Sequence, residues 1–105
     1  MEYLFNSRGR HIANLVGKQL HAPTGQNIGH YLEGQDIFID MTGRYLGEIV
    51  NRNRLMFNRQ CPYQSTNFGN YGNYGNAGNY GNPGNHGNIG TVSGFEDISE
   101  DSLKP

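Results

Sequence analysis

The chain has one cysteine and no tryptophan among its 105 residues. With Cys61 alone, no disulfide can close within the chain and no thiolate metal site can be assembled from it. Long apolar runs are missing, so no stretch reaches membrane-spanning length. The start, Met1 to Arg8, lacks a basic region followed by an apolar one, as a secretory leader would have. A cytoplasmic protein is the expectation. Helical periodicity is scarce too, because glycines interrupt every window in which apolar residues could recur at i, i+3, i+4 and i+7. Charge is low, at −1 overall.

That small net charge hides an asymmetry. Residues 1–60 carry Arg8, Arg10, Lys18, Arg44, Arg52, Arg54 and Arg59 against Glu2, Glu33, Asp36, Asp40 and Glu48, seven against five, or +2. The last eleven residues carry four acids against Lys104, or −3. A mildly basic body with an acidic end can meet itself or a charged partner, but neither charge marks a dedicated nucleic-acid binder. Arginines interleaved with Tyr3, Phe5, Tyr31 and Tyr45 are the ingredients of a single-strand groove. Weak single-stranded nucleic-acid binding is therefore the third-ranked reading, behind two others given below.

What the chain does have is a repeat. Ile37 to Val50 reads as strand, turn and strand, with a β-branched and aromatic run, an Asp-Met-Thr-Gly turn and a second strand broken by Gly47. Aligned on their turn glycines Gly9, Gly25 and Gly43, spaced 16 and 18 residues apart, three such units fill most of the first sixty residues. Five positions before the glycine stand Leu4, Leu20, Phe38 and, in a fourth copy, Met56. Three after it stand Ile12, Ile28 and Leu46, and these two sets form the expected core. Four after it stand the small residues Ala13, Gly29 and Gly47, which fall across the hairpin from the large ones and suit a curved or bulged sheet. The fourth copy has Cys61-Pro62 in place of its glycine, so Glu2-Tyr3 is a candidate to complete it. Repeats of this length bury each unit against its neighbours. The expected fold is all-β: a small quasi-fourfold flower or barrel of four hairpin petals, closed to remove exposed strand edges.

This pattern of a large apolar residue, a glycine turn and then Ile/Leu-Gly/Ala-x-apolar resembles the bacterial 4-fold beta flower family over residues 1–63. The phrase Gly43-Arg44-Tyr45-Leu46-Gly47-Glu48-Ile49 also looks like units in PRC-barrel and tubby/LURP-like proteins. The resemblance implies a four-petalled all-β domain and brings no activity with it.

Residues 64–94 change composition. From Gly69 to Gly90 the chain runs in Gly-Asn-x triplets, too poor in proline for a collagen helix. Such a segment buries little apolar surface, so a flexible linker or disordered tail is the leading expectation. A self-associating Tyr/Asn tract and a stack of extended polyglycine-type helices are the other two. Residues 95–105 are acidic, with Phe95, Ile98 and Leu103 spaced as in a short docking peptide that orders on a partner; an acidic solubilising tail is the plainer alternative.

No catalytic constellation is apparent. His11, His21 and His30 sit at three different phases of the repeat and share no metal-binding spacing. Asn14, His30 and Glu48 do share a phase, five after their glycines, and are the candidate ring for a small ligand. Cys61 reads as a packed apolar residue rather than a thiolate nucleophile. Catalytic, cofactor and metal residues are expected to be absent. The leading reading is a non-catalytic binding or assembly module acting through protein contacts, able to form homo-oligomers. Small-ligand or lipid-head-group binding in an axial pore is the alternative.

Overall fold

The computed structural model describes residues 1–104. They form eight strands: β1 Glu2–Phe5, β2 His11–Val16, β3 Gln19–His21, β4 Asn27–Leu32, β5 Ile37–Asp40, β6 Tyr45–Val50, β7 Arg54–Asn58 and β8 Phe95–Asp97. A short 3-10 helix, Glu100–Leu103, follows. Strands β1 to β7 are antiparallel neighbours in chain order. The first meets the seventh in parallel where Phe5 pairs with Arg54, and the Phe5 amide donates to the Asn53 carbonyl at 2.9 Å. The result is a closed seven-stranded barrel. β8 adds outside it, antiparallel to β7, with Phe95 to Asp97 opposite Asn58 to Met56.

The turns show why these residues make hairpins. The amides of Gly9, Gly25, Gly43 and Cys61 each donate back three residues, to the carbonyls of Asn6, Ala22, Asp40 and Asn58. At three of these turns the first residue also caps with its side chain. Asn6 Oδ1 accepts from the amides of Arg8 and Arg10, Asp40 Oδ1 from those of Thr42 and Arg44, and Asn58 Oδ1 from that of Gln60. Asn and Asp favour such turns because their short side chains stand in for a backbone acceptor. Gly9, Gly25 and Gly43 have φ of 87°, 103° and 90°, a left-handed backbone that costs other residues more.

Register then sets the core. Leu4 faces Ala13, Leu20 faces Gly29 and Phe38 faces Gly47 across their hairpins, each beside a break in the regular pairing of the ladder. The small residue is required at two of these places. A Cβ on Gly29 would fall on the Ile39 carbonyl, and one on Gly47 would lie 2.7 Å from both the Met56 carbonyl and Ile98 Cδ1. Leu4, Ile12, Ala13, Leu20, Ile28, Phe38, Leu46 and Leu55 make one buried cluster. Met56 is buried as well. A second cluster joins Leu32, Ile37, Ile39, Tyr45 and Cys61, with Phe57, Tyr63 and Phe68 packed against it. Burying side chains of this size stabilises by about 1.5–3 kcal/mol each, the main favourable term for so small a body.

Composition leads to the expectation of a tether over residues 64–94, but the structure lays this segment along the barrel. It acts as a strap. The amides of Phe68, Ala77 and His86, nine residues apart, donate to the carbonyls of Gly43, Gly25 and Gly9 at 2.8–2.9 Å. The strap thus meets the hairpin turns in the reverse of their chain order. Its triplets share one local bond, in which Asn Oδ1 accepts from the glycine amide two residues on, seen at Asn67, Asn70, Asn73, Asn76, Asn79, Asn82 and Asn88. Those glycines all have positive φ. Apolar burial contributes little here, and the strap's order comes from its own turns and from backbone bonds to the barrel.

Candidate functional site

Asn14, His30 and Glu48, which share a phase in the repeat, have different surroundings. Asn14 is buried on β2 and its Oδ1 lies 2.6 Å from His11 Nε2. His30 is buried on β4, with Nδ1 at 2.5 Å from Gln19 Oε1. Its ring is stacked on Tyr71 and meets Tyr74 edge-on, at centroid distances of 5.5 and 5.6 Å, so the strap covers it. Burial pushes the His30 pKa below the usual histidine value, and the Gly72 backbone offsets part of that shift. Among the described residues, the buried Asn14 Nδ2 and His30 Nε2 have no hydrogen-bond partner. Glu48 lies on β6, where its carboxylate accepts from the Tyr45 hydroxyl at 2.6 Å. That hydroxyl in turn accepts from the Asn58 amide. Burial, then the Glu48 contact, drives the Tyr45 pKa well above its usual value.

The docking residues of the acidic end lie against the chain itself. Phe95 sits in β8, Ile98 packs on the main core cluster and Leu103 is buried within it. Leu4, Ile12, Leu20, Ile28, Phe38, Leu46 and Met56 are all buried, with none more than 8% exposed. Cys61 is a buried free thiol whose Sγ accepts from the Tyr63 amide. Among the described residues no group of three or more His, Cys, Asp or Glu side chains could hold a metal ion. Nor is any described helix long and apolar enough to cross a membrane.

Sequence reasoning missed Arg54. It is buried, with Nη1 donating to the carbonyls of Asn6, Ser7 and Gly87 and Nε to Asn53 Oδ1. One guanidinium therefore ties the first turn, the start of β7 and the strap together, using the rigid fork of donors that lysine lacks. As one arginine among several, it carried no distinguishing signal.

A cleft lies at the seam where the barrel closes. Because β1 and β7 pair only through Phe5 and Arg54, the start of β1 parts from the Asn51–Asn53 turn. A cleft of about 600 Å³ opens between them, lined by Tyr3, Phe5, Asn51, Arg52, Asn53 and His86. Asn51 and Arg52 hold φ of 48° and 79°, an unusual backbone for side-chain-bearing residues. Phe5 and His86 pack with ring centroids 3.9 Å apart at the cleft wall.

No family model matches the chain, and no curated protein or solved structure matches it.

Proposed function

We propose that the chain is a non-catalytic binding or assembly module, a quasi-fourfold β-flower similar to the bacterial 4-fold beta flower family, working in the cytoplasm through protein contacts. Four turns sharing one backbone bond, and ladder breaks recurring at the same phase of three hairpins, support the petal reading. On this reading Leu4, Leu20, Phe38, Leu55 and their neighbours, which are buried together, would fill the axis of the flower. Recognition then belongs on the outside. The observation that carries the proposal is the seam cleft, where the edge of β1 offers backbone groups beside aromatic and amide side chains. An extended peptide adding to that edge would use main-chain hydrogen bonds for affinity and the Tyr3 and Arg52 side chains for selectivity.

A small ligand is the second reading, now at the seam rather than on the axis. The cleft volume falls in the range of small-molecule sites, about 300–1,000 Å³, and with both Arg52 and Glu2 lining it a zwitterionic lipid head group fits better than a purely anionic one. The test is selection of a random peptide library against the full chain, followed by amide-shift mapping of the enriched peptides. Shifts confined to Glu2–Phe5, residues 51–53 and His86, lost in the Tyr3→Ala/Arg52→Ala variant, support strand addition. Enriched peptides that shift other residues, or no enrichment at all, overturn it.

A further inference from the structure

The end of the chain is bound the way a separate peptide would be. β8 adds to the outer edge of β7 by main-chain pairing with Met56, Phe57 and Asn58. The Asp97 carboxylate accepts from both the Ser7 amide and the Ser7 hydroxyl, at 2.8 and 2.7 Å. Ile98 is seated against Gly47, where any side chain would collide with it. Leu103 completes the main core cluster from below. Glu100 pairs with Arg10 at 2.8 Å on the surface.

Around these anchors the fit is loose. Clefts of about 360 and 180 Å³ flank the 3-10 helix, one beside Tyr45 and Phe57 and the other beside Ile12 and Arg10. A third, of about 310 Å³, lies under the connection to the strap, beside Thr91, Val92 and Phe95. That connection begins after the Ile89 amide bond to Ser7 and contains one backbone turn, Phe95 to Val92; at its far end the Arg59 amide donates to the Gly94 carbonyl at 2.9 Å, extending the pairing of β7 with β8. Gly90 and Gly94 bracket it, both at positive φ. The turn can straighten without breaking any strap contact.

We infer that the groove formed by the β7 edge, Ser7 and Gly47 is a receptor for an acidic strand-and-turn peptide, and that a second copy of this chain fills it with its own residues 95–103. The partner is the same segment because every anchor is already matched to it: the carboxylate to Ser7, the isoleucine to Gly47 and the leucine to the core. Exchange leaves each anchor unchanged, the Gly94 carbonyl travelling with β8 to an Arg59 amide, and alters only the connection at residues 90–93. A cis segment on so short a connection competes at an effective concentration on the order of millimolar. Exchange between copies therefore grows with protein concentration and is reciprocal, giving a closed dimer.

The experiment uses a labelled synthetic peptide of residues 91–104 and the full chain, with fluorescence anisotropy and amide-shift mapping. The peptide is expected to bind saturably and shift Ser7, Gly47 and Met56–Asn58. It should bind a Leu103→Ala chain at least about tenfold more tightly, because that variant's own segment competes less well. A peptide carrying the same Leu103→Ala change should bind at least about tenfold more weakly. Absence of saturable binding to either folded chain up to about 1 mM, or shifts confined to other residues, overturns the inference. Should the Leu103→Ala chain fail to fold, sedimentation of the unaltered chain decides. A dimer that increases with concentration and is dissolved by excess peptide upholds the exchange, and a strict monomer up to about 1 mM refutes it.

Discussion

Gly9 and Gly17 separate two reasons for using glycine. Both have positive φ, 87° and 61°, so both ask a backbone conformation that costs other residues about 1–2 kcal/mol. Nothing lies within 4 Å of a Cβ placed on Gly17, whereas one on Gly9 would land on the His86 carbonyl. Gly17→Ala should therefore cost about 1–2 kcal/mol and leave the strap in place. Gly9→Ala should cost about 1–3 kcal/mol more, because the strap or the turn must also move. Denaturant unfolding of the two variants checks this, and equal losses would mean that the strap does not press on the first turn. The core positions were legible for a reason that works residue by residue: Leu4, Leu20 and Phe38 recur at one phase of the repeat and each faces a small partner. Arg54 was not legible, since its partners are carbonyls from three distant segments and leave no trace in composition or spacing.

Among the elements, the strap depends on length more than on side chains. Its three backbone bonds to the turn glycines fall at Phe68, Ala77 and His86, so a span of three triplets matches the step from one turn to the next. Removing Asn82-Pro83-Gly84 leaves six residues where nine are needed, and an extended chain loses about 10 Å of reach with them. That deletion should break the His86 bond to Gly9 and the Phe5–His86 contact, costing about 1–3 kcal/mol. Inserting one extra Gly-Asn-Ala triplet after Gly84 should cost under about 1 kcal/mol, because surplus chain can loop outward. Thermal unfolding distinguishes the two, and a deletion as mild as the insertion would show the strap to be slack. The strap was hard to foresee because sequence reading weighs apolar burial, and Gly-Asn-x offers almost none. The nine-residue step is visible in the sequence only once its targets are known. The acidic end reads as a solubilising tail or a docking peptide, and in the structure its apolar residues pack on its own chain.

For the whole molecule, the strapped face makes stability respond to pH. His30 is buried beneath Tyr71 and Tyr74 with its pKa lowered, so the folded chain favours the neutral ring. The unfolded chain takes up a proton near the usual value of 6.5 while the folded chain resists it. Stability from this residue is full above that pH and falls as pH drops below it, until the folded ring also titrates. A His30→Gln chain should therefore show a flatter loss of unfolding free energy between about pH 7 and pH 5 than the unaltered chain. Parallel slopes in the two proteins would assign the pH dependence elsewhere.

The reversed path of the strap also bears on how the chain assembles itself. All three targets lie upstream, and the intervening stretches lengthen along the strap, from 25 residues for Gly43–Phe68 to 52 for Gly25–Ala77 and 77 for Gly9–His86. Closing 77 residues in one step carries the largest entropic penalty of the three. Once Phe68 has seated, each later contact needs only nine further residues to find the next turn. The strap is thus built to close like a zip, nearest turn first, over hairpins that leave the ribosome before it does. The order in which its amides become protected during refolding would be written from residue 68 toward residue 86.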